Sequence, residues 1–197
     1  IELPTQRLVY RETETILTDL IHTRLEVEFD WAQSRMNGVA QITAKPHFYT
    51  SDELILDAKG MDINSVKMQD ASLNFTYEDD ILTIDLGKDF TRDDEYTVKI
   101  DYVAKPDERE EGGSSAITSD KGLYFINPTG EDKDKMPQIW TQGETESSSV
   151  WFPTIDSPNA KTTQEIFIKV DDKYTTLSNG KLISSKKVGN GMRVDPV

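Results

Sequence analysis

The sequence predicts an all-β domain, built as a curved antiparallel sheet or a β-sandwich, and three features lead to that prediction. First, apolar and polar residues alternate with period two in several short segments, most clearly in residues 24–31 (RLEVEFDW). Second, turn residues separate these segments at nearly regular intervals. Third, no segment of useful length carries apolar residues at the helical period of about 3.6 residues.

The first half of the chain is expected to form a series of short strands. Residues 1–20 are polar and irregular, and we expect them to drape over the domain. Asn37-Gly38 follows the first strand and is a strong signal for a two-residue hairpin turn. The expected strands are residues 24–31, 40–44 (ended by Pro46), 53–58, 61–68, 73–77, 82–86 and 96–102.

The second half continues the pattern, with longer loops between the strands. Asn179-Gly180 predicts one hairpin, and Asn190-Gly191 predicts another. We expect the whole chain, residues 1–197, to form a single β domain, since its length suits one substantial core. The expected strands are residues 123–127, 166–170, 174–178, 181–187 and 192–194, and the expected polar loops are residues 105–120 and 129–135.

Composition and charge exclude several classes of function. The 197 residues include 22 Lys and Arg against 36 Asp and Glu, a net charge of −14. That charge argues against a nucleic-acid partner and suits cationic partners, including peptide amino termini. The absence of cysteine excludes disulfides and thiolate chemistry. Apolar runs are only a few residues long, so no membrane span is expected.

The amino terminus bears on where the protein is located. The chain starts at Ile1 rather than Met, and we expect that it has been trimmed. Removal of an export leader would produce such a start, so an exported or periplasmic location is slightly favoured over a cytoplasmic one.

Residues 137–165 carry the strongest functional signal, with two of the three tryptophans and three prolines. If residues 139–144 are extended, Gln142 and Glu144 point in the same direction, with Gly143 between them. A carboxylate beside an amide carbonyl suits a small cation such as an ammonium group, because the carboxylate supplies charge and the amide oxygen accepts a directed hydrogen bond. Plain solvated surface is the alternative, since a lone Gln-Gly-Glu is common.

The residues after this tripeptide are typical of a rigid support. Trp151-Phe152-Pro153 is a bulky apolar step closed by a proline. Asp156-Ser157-Pro158-Asn159 predicts a turn, since Asp and Asn side chains bond nearby backbone and Pro fixes φ. We interpret this element, together with Trp140, as the packed support of the candidate site.

These motifs together resemble a known family. W-T-Q-G-E-x-E, followed by W-F-P-x-x-D-x-P and Lys161-Thr162, is similar to the amino-terminal domain of the aminopeptidase N and leukotriene hydrolase family of zinc metallopeptidases. The resemblance is specific over residues 138–165 and looser elsewhere. The looser matches are His22-Thr23, Leu56-Asp57 with Ile63, residues 121–125 and Ser178-Asn179-Gly180.

The resemblance implies a role for this domain in a larger enzyme. In the family, the Q-x-E pair lines the catalytic cleft and holds the α-ammonium group of the substrate, so Gln142 and Glu144 would be substrate-binding residues. The partners would be a peptide with a free amino terminus and the enzyme's own catalytic domain, which holds the zinc. Some relatives have Gln at the position of Glu144 and act on other substrates, including an epoxide, so Glu144 favours a plain aminopeptidase.

The catalytic centre itself is missing from this chain. Zinc aminopeptidases need H-E-x-x-H on a helix, and the only histidines are His22 and His47, which lie outside any such motif. We expect both to be structural or surface residues and the chain alone to be inactive. Calcium-binding spacing is also absent from the acidic clusters at residues 78–80, 93–95 and 131–135, which we interpret as solvated turns.

A second reading of the sequence is a free-standing β-sandwich that binds carbohydrate or protein. Trp140, Trp151 and Tyr124 would then form a stacking surface. Core packing is the alternative role for these rings, because they lie in apolar strand contexts. An H-E-x-x-H helix downstream in the natural gene product would decide for the enzyme.

Overall fold

The computed structural model describes residues 15–109 and 119–197, which form strands, turns and two short 3-10 helices. The helices are Pro106–Glu108 and Ser148–Val150. No helix in these two ranges is long and apolar enough to cross a membrane. The strands are β1 (Thr18–Asp30), β2 (Arg35–Pro46), β3 (Ser51–Asp57), β4 (Met61–Met68), β5 (Ala71–Ser72), β6 (Phe75–Glu78), β7 (Ile81–Phe90), β8 (Tyr96–Ala104), β9 (Leu123–Ile126), β10 (Gln138–Thr141), β11 (Thr163–Asp171), β12 (Lys186–Gly189) and β13 (Met192–Pro196).

Three sheets organise these strands. The largest has eight strands in the order β12-β13-β11-β1-β2-β8-β4-β5. A three-stranded sheet has the order β3-β7-β6, and β9 and β10 form a separate hairpin. All pairs are antiparallel except β1 with β11, which run parallel. The parallel pair arises because the chain leaves the large sheet after β8 and returns beside β1 only after a long crossover.

The core lies between the large sheet and the three-stranded sheet. Alternate residues of the central strands are fully buried, as period-two patterning requires. They form one contiguous cluster, which Phe125 and Phe152 join from the segments that follow the two sheets. The fold-class prediction, an all-β domain of curved sheets, is therefore confirmed, with the β1–β11 pair as its one parallel element in the described chain. Buried members of the cluster include Leu25, Ala40, Ile42, Leu54, Leu56, Leu82, Ile84, Val98, Ile100 and Tyr102.

The hairpin predicted at Asn37-Gly38 is wrong. Both residues lie inside β2, and the turn spans residues 31–34. The Gln33 N–H donates to the Asp30 carboxylate at 3.0 Å, and Ser34 takes the left-handed backbone conformation. Gly38 instead leaves room for the ring of Tyr102 on β8, because a Cβ at Gly38 would lie 2.2 Å from Cζ of that ring.

Near both ends of the chain, the structure differs from the sequence predictions. Residues 1–14 lie outside the described residues, and β1 already starts at Thr18 within the stretch expected to be irregular. The hairpin expected across Asn179-Gly180 is absent, since residues 174–178 and 180–185 form no strand. The hairpin at Asn190-Gly191 is confirmed, because it joins β12 to β13.

The segment without strands before β12 is fixed by a buried carboxylate. Asp195 on β13 is almost fully buried, and it accepts hydrogen bonds from Thr176 at 2.7 Å and Ser185 at 2.5 Å. Arg193 Nε donates to both of its oxygens. Burial alone raises the pKa of Asp195, but the hydrogen bonds from Ser185, Thr176 and Arg193 outweigh it, and the pKa lies below its usual value. Side-chain hydrogen bonds thus replace the predicted strand pairing.

Candidate functional site

The β9–β10 hairpin carries the candidate site at its end. Its register pairs Trp140 with Tyr124, and the two sides of the hairpin differ. Leu123 and Phe125 are buried in the core cluster. Tyr124 and Trp140 lie on the opposite side, because neighbouring residues of a strand alternate between faces.

Trp140 and Tyr124 stack on one another on that outer side. Their ring centroids are 4.2 Å apart and their planes differ by 6°. The Tyr124 hydroxyl lies 3.2 Å from both the carbonyl and the hydroxyl oxygen of Ser119. Trp140 nevertheless remains 45% exposed. The expectation that Trp140 packs beneath the site is therefore wrong, since its ring faces outward from the hairpin.

Gln142 continues the hairpin by one further residue. Its N–H donates to the Gly122 carbonyl at 2.9 Å, directly beyond the Thr141–Leu123 pair. By alternation, its half-buried side chain lies on the same side as Trp140.

Extended backbone ends at this point, so the expectation of strand geometry through Glu144 is wrong. The Ser147 N–H donates to the Gly143 carbonyl at 3.0 Å, which closes a turn over residues 143–147. Glu144 lies on this turn with an exposed side chain, and its peptide bond to Thr145 is cis. A Cβ at Gly143 would lie 2.6 Å from Oγ of Ser148, so a larger residue there would require the Ser148 side chain to move.

The turn is clamped to the end of β3. Lys59 Nζ donates to the Glu146 carbonyl at 2.6 Å, and the Lys59 N–H donates to the Ser149 carbonyl at 2.8 Å. Gly122 packs beneath it, because a Cβ there would lie 2.2 Å from the Ser147 carbonyl oxygen. One residue of the β3–β4 connection therefore holds two carbonyls of the segment that follows Glu144.

A second set of bonds fixes the segment further along. The Asp156 carboxylate accepts the Ser149 N–H at 2.8 Å, and the Asp156 N–H donates to the Asp57 carboxylate at 2.8 Å. Asp57 and Thr154 also exchange two backbone hydrogen bonds. The predicted turn at residues 156–159 is present, and the Ala160 N–H closes it by donating to the Ser157 carbonyl. The Asp156 side chain is bonded to Ser149, which precedes it in the chain, and not to the turn.

The apolar step between these clamps supports the segment, as predicted. Phe152 is buried in the core cluster, and Trp151 packs against that cluster while contacting Phe152 edge to face. The buried Tyr102 hydroxyl donates to the Trp151 carbonyl at 2.9 Å. Burial raises the pKa of Tyr102 well above its usual value, so the hydroxyl stays protonated as a donor. Trp151 thus packs inward while Trp140 is exposed, and the two do not form one stacking surface.

Lys59 and Tyr102 are structural supports of the candidate site that the sequence did not reveal. Tyr102 was predicted only as an alternating strand residue, and Lys59 had no assigned role. Each acts on a backbone carbonyl far away in sequence, and such a contact leaves no local pattern. Gly122 did carry a signal, since it lies in the Lys-Gly-Leu-Tyr-Phe run that contributes to the family resemblance.

The described residues do not fit a zinc site. His22 lies 2.8 Å from the Thr163 hydroxyl and 3.4 Å from the Glu165 carboxylate. His47 lies 2.7 Å from the Asp19 carboxylate. In residues 15–109 and 119–197, no group of three or more His, Asp or Glu side chains is placed to hold a metal ion.

Two cavities lie elsewhere on the described part of the chain. One, of about 260 Å³, lies across β1, β2, β8 and β11 and is lined by Glu26, Glu28 and Asp101 among others. The other, of about 300 Å³, lies beside Trp31 and Tyr174. Neither cavity is lined by the candidate residues, of which Glu144 is exposed and Gln142 half-buried.

Comparison with known protein families identifies the class to which this all-β domain belongs. The chain belongs to the family described as the peptidase M1 N-terminal domain, whose model matches residues 19–195. The resemblance drawn from the sequence motifs is therefore confirmed.

Individual relatives agree with this assignment. The chain is 26% identical over 164 residues to "Probable aminopeptidase 2" of Sulfurisphaera tokodaii, a match that covers 83% of this chain and 18% of that protein. An M1 zinc metallopeptidase from Deinococcus radiodurans has the same fold, with a TM-score of 0.76 at 13% identity over 91% of this chain and 38% of that one. Native yeast LTA4 hydrolase matches with a TM-score of 0.65 at 19% identity, over 91% of this chain and 26% of that one. The chain thus spans well under half the length of each of these proteins.

Proposed function

We propose that this chain is the amino-terminal domain of a zinc-dependent aminopeptidase, in which Gln142 and Glu144 hold the free α-ammonium group of a peptide substrate. The observation that carries this proposal is the placement of Glu144. It is an exposed carboxylate on a tight turn that directly follows the amide side chain of Gln142 and is clamped by Lys59. Membership of the M1 family supports the reaction class.

The chemistry of the pair suits an ammonium group. The carboxylate supplies the opposite charge and the amide oxygen accepts a directed hydrogen bond. In a cleft that excludes part of the water, their attraction for the cation exceeds its value in bulk solvent. Holding the amine also determines which peptide bond reaches the reacting centre, which makes the enzyme an exopeptidase.

The remaining groups of the active site would come from a catalytic domain that this chain does not contain. Zinc held there would activate the hydrolytic water, and this chain alone would be inactive. The exposure of Glu144 supports a site that is completed by residues of another domain. A variant of the Deinococcus radiodurans enzyme with this fold has been solved with a Tyr-Ser-Ala substrate. Glu rather than Gln at residue 144 favours peptides over an epoxide substrate.

The test is hydrolysis of aminoacyl chromogenic amides by the full-length natural protein, with and without a zinc chelator. We expect chelator-sensitive release, and we expect Glu144→Ala to lower kcat/KM about 10- to 100-fold, the range for a lost hydrogen bond to a charged group. Glu131→Ala is the matched control, since Glu131 is an exposed carboxylate on the neighbouring polar loop.

Two results would contradict the proposal. Equal activity of wild type and Glu144→Ala would remove the assigned role of Glu144. No hydrolysis by a folded full-length protein would favour the free-standing binding module, and carbohydrate binding would then be the next measurement.

A further inference from the structure

The chain places the same reactive dipeptide, Asn-Gly, in three different backbone settings. Asparagine is thermally labile, and a following glycine makes it more so, because glycine has no Cβ to shield its nitrogen from the asparagine side chain. The backbone must first rotate to bring that nitrogen to the side-chain amide, so the rate depends on how firmly the surrounding backbone is held. The pairs are Asn37-Gly38, Asn179-Gly180 and Asn190-Gly191.

Two of these pairs are held firmly by strand pairing. Asn37-Gly38 lies inside β2, which pairs with β1 on one side and β8 on the other, so opening it breaks hydrogen bonds in the centre of the large sheet. Asn190-Gly191 forms the two-residue turn between β12 and β13, and both residues have positive φ. The Asp172 N–H also donates to the Gly191 carbonyl at 2.8 Å. Rotation of either pair therefore disrupts a hairpin or the sheet.

Asn179-Gly180 is held much more loosely. It lies in the strand-free segment before β12, and both residues are exposed. Among the described residues, no backbone-to-backbone hydrogen bond anchors residues 175–182. The Gly180 N–H donates to the Ser178 hydroxyl at 3.3 Å, a long contact with a residue of the same loop. The backbone of this pair can therefore rotate without breaking any strand pairing.

We propose that Asn179 is a site of spontaneous deamidation, whereas Asn37 and Asn190 are protected by the fold. The Gly180 nitrogen forms a bond to Cγ of Asn179, the bond from Cγ to the side-chain nitrogen breaks, and ammonia leaves with the proton that Gly180 loses. Water then opens the resulting cyclic succinimide at either of its carbonyls. One product is aspartate. The other is isoaspartate, in which the backbone continues through the former side-chain carbon and the former main-chain carboxyl group is free.

Both products change the surroundings of Asn179. Each adds a negative charge close to the exposed Lys181. Isoaspartate also adds a carbon atom to the backbone and so displaces Gly180, which has little free space, because a Cβ there would lie 3.2 Å from the carbonyl carbon of Val197. Val197 is itself fixed by two backbone hydrogen bonds with Ile166 of β11. We therefore expect isoaspartate to destabilise this end of the large sheet.

The experiment follows the full-length natural protein over days in mildly alkaline buffer, with peptide mapping by mass spectrometry. In the folded protein, we expect Asn179 to lose its amide at least about tenfold faster than Asn37 or Asn190. In denaturant, where no pair is protected, the three rates should agree within about threefold. Gly180→Ala places a Cβ beside the attacking nitrogen and should slow the loss at Asn179 about tenfold. Ser178→Ala is the matched control on the other side of Asn179 and should not slow it.

Several results would overturn the proposal. Equal rates at the three pairs in the folded protein, or a faster loss at Asn37 or Asn190, would show that the fold does not select Asn179. An Asn179 that reacts in denaturant but stays intact in the folded full-length protein would show that this segment is protected there.

The effect on stability is measured by comparing melting temperatures. Protein that carries isoaspartate at residue 179 should melt at a lower temperature than Asn179→Asp, which has the same charge without the additional backbone atom. Equal melting temperatures would contradict the displacement of Gly180 against Val197.

Discussion

The large sheet and the segment 142–156 are held in place by different interactions. In the sheet, side chains such as Leu25, Ile42 and Ile100 have no exposed surface, and apolar burial dominates. In the segment, Lys59 donates to the Glu146 carbonyl and the Asp156 carboxylate accepts the Ser149 N–H. The sheet therefore supplies most of the stability, while the clamps set the position of Glu144. Substitutions in the two regions should separate stability from activity.

The largest effect on stability is expected from Ile42→Ala in the centre of β2. Removing a fully buried Ile side chain should lower the free energy of unfolding by about 2–5 kcal/mol, while kcat/KM per folded molecule stays unchanged. Chemical denaturation followed by tryptophan fluorescence measures the first quantity. Val39→Ala, on the same strand but half-exposed, is the control and should cost much less. Equal costs would contradict the assignment of the core to one face of the sheet.

Asp195 should make stability depend on pH. Its folded-state pKa is lowered, so the carboxylate stabilises the fold above its unfolded pKa of about 3.9, and this contribution is lost as the pH falls through the lower folded-state value. Asp195→Asn should cost about 1–3 kcal/mol at neutral pH.

The pH dependence of that cost is the measurement. Denaturation of wild type and Asp195→Asn across acidic pH should show the difference between them shrinking below about pH 4. A difference that stays constant with pH would contradict the charged role of Asp195 in holding Thr176 and Ser185.

The smallest effect on stability but a clear effect on activity is expected from Lys59→Met. The loss of one bond to the Glu146 carbonyl should cost about 0.5–1.5 kcal/mol of stability. Because Glu144 lies on the turn that this bond clamps, KM for substrates with a free amine should rise more than kcat falls. Lys59→Arg should restore much of the loss. Steady-state kinetics on the full-length protein would show this split, and an unchanged KM would mean that the clamp does not position Glu144.

The strands were predictable because their signal is local. Apolar and polar residues alternate along residues 24–31 and 96–102, and this alternation predicts which face of the strand is buried. The three Asn-Gly pairs show that the same local motif can adopt different structures. Asn190-Gly191 forms a hairpin turn, whereas Gly38 exists because Tyr102 packs against it from another strand. Nothing near Asn179-Gly180 in the sequence reveals that Asp195 holds the surrounding segment.

The candidate site was predictable to a similar extent. Gln142 and Glu144 were predicted from their residue types and the family resemblance, and their substrate-binding role stays a prediction. The apolar step at Trp151-Phe152 was correctly predicted as packed support. The geometry of the site was not predicted, because the chain turns over residues 143–147 where a strand was expected. Lys59 donates a hydrogen bond to that turn, and this contact joins segments distant in sequence.

Inhibition by a peptide and by its desamino analogue tests the role of Glu144 most directly. The two ligands differ only in the α-ammonium group, so the ratio of their inhibition constants isolates its binding free energy. In the full-length wild-type enzyme, we expect the free-amine peptide to bind about 10- to 100-fold more tightly. In Glu144→Ala, the ratio should fall several-fold, because only the Gln142 amide then remains in this chain to bind the ammonium group. A preference that survives undiminished in Glu144→Ala would contradict the assignment and place the ammonium group elsewhere.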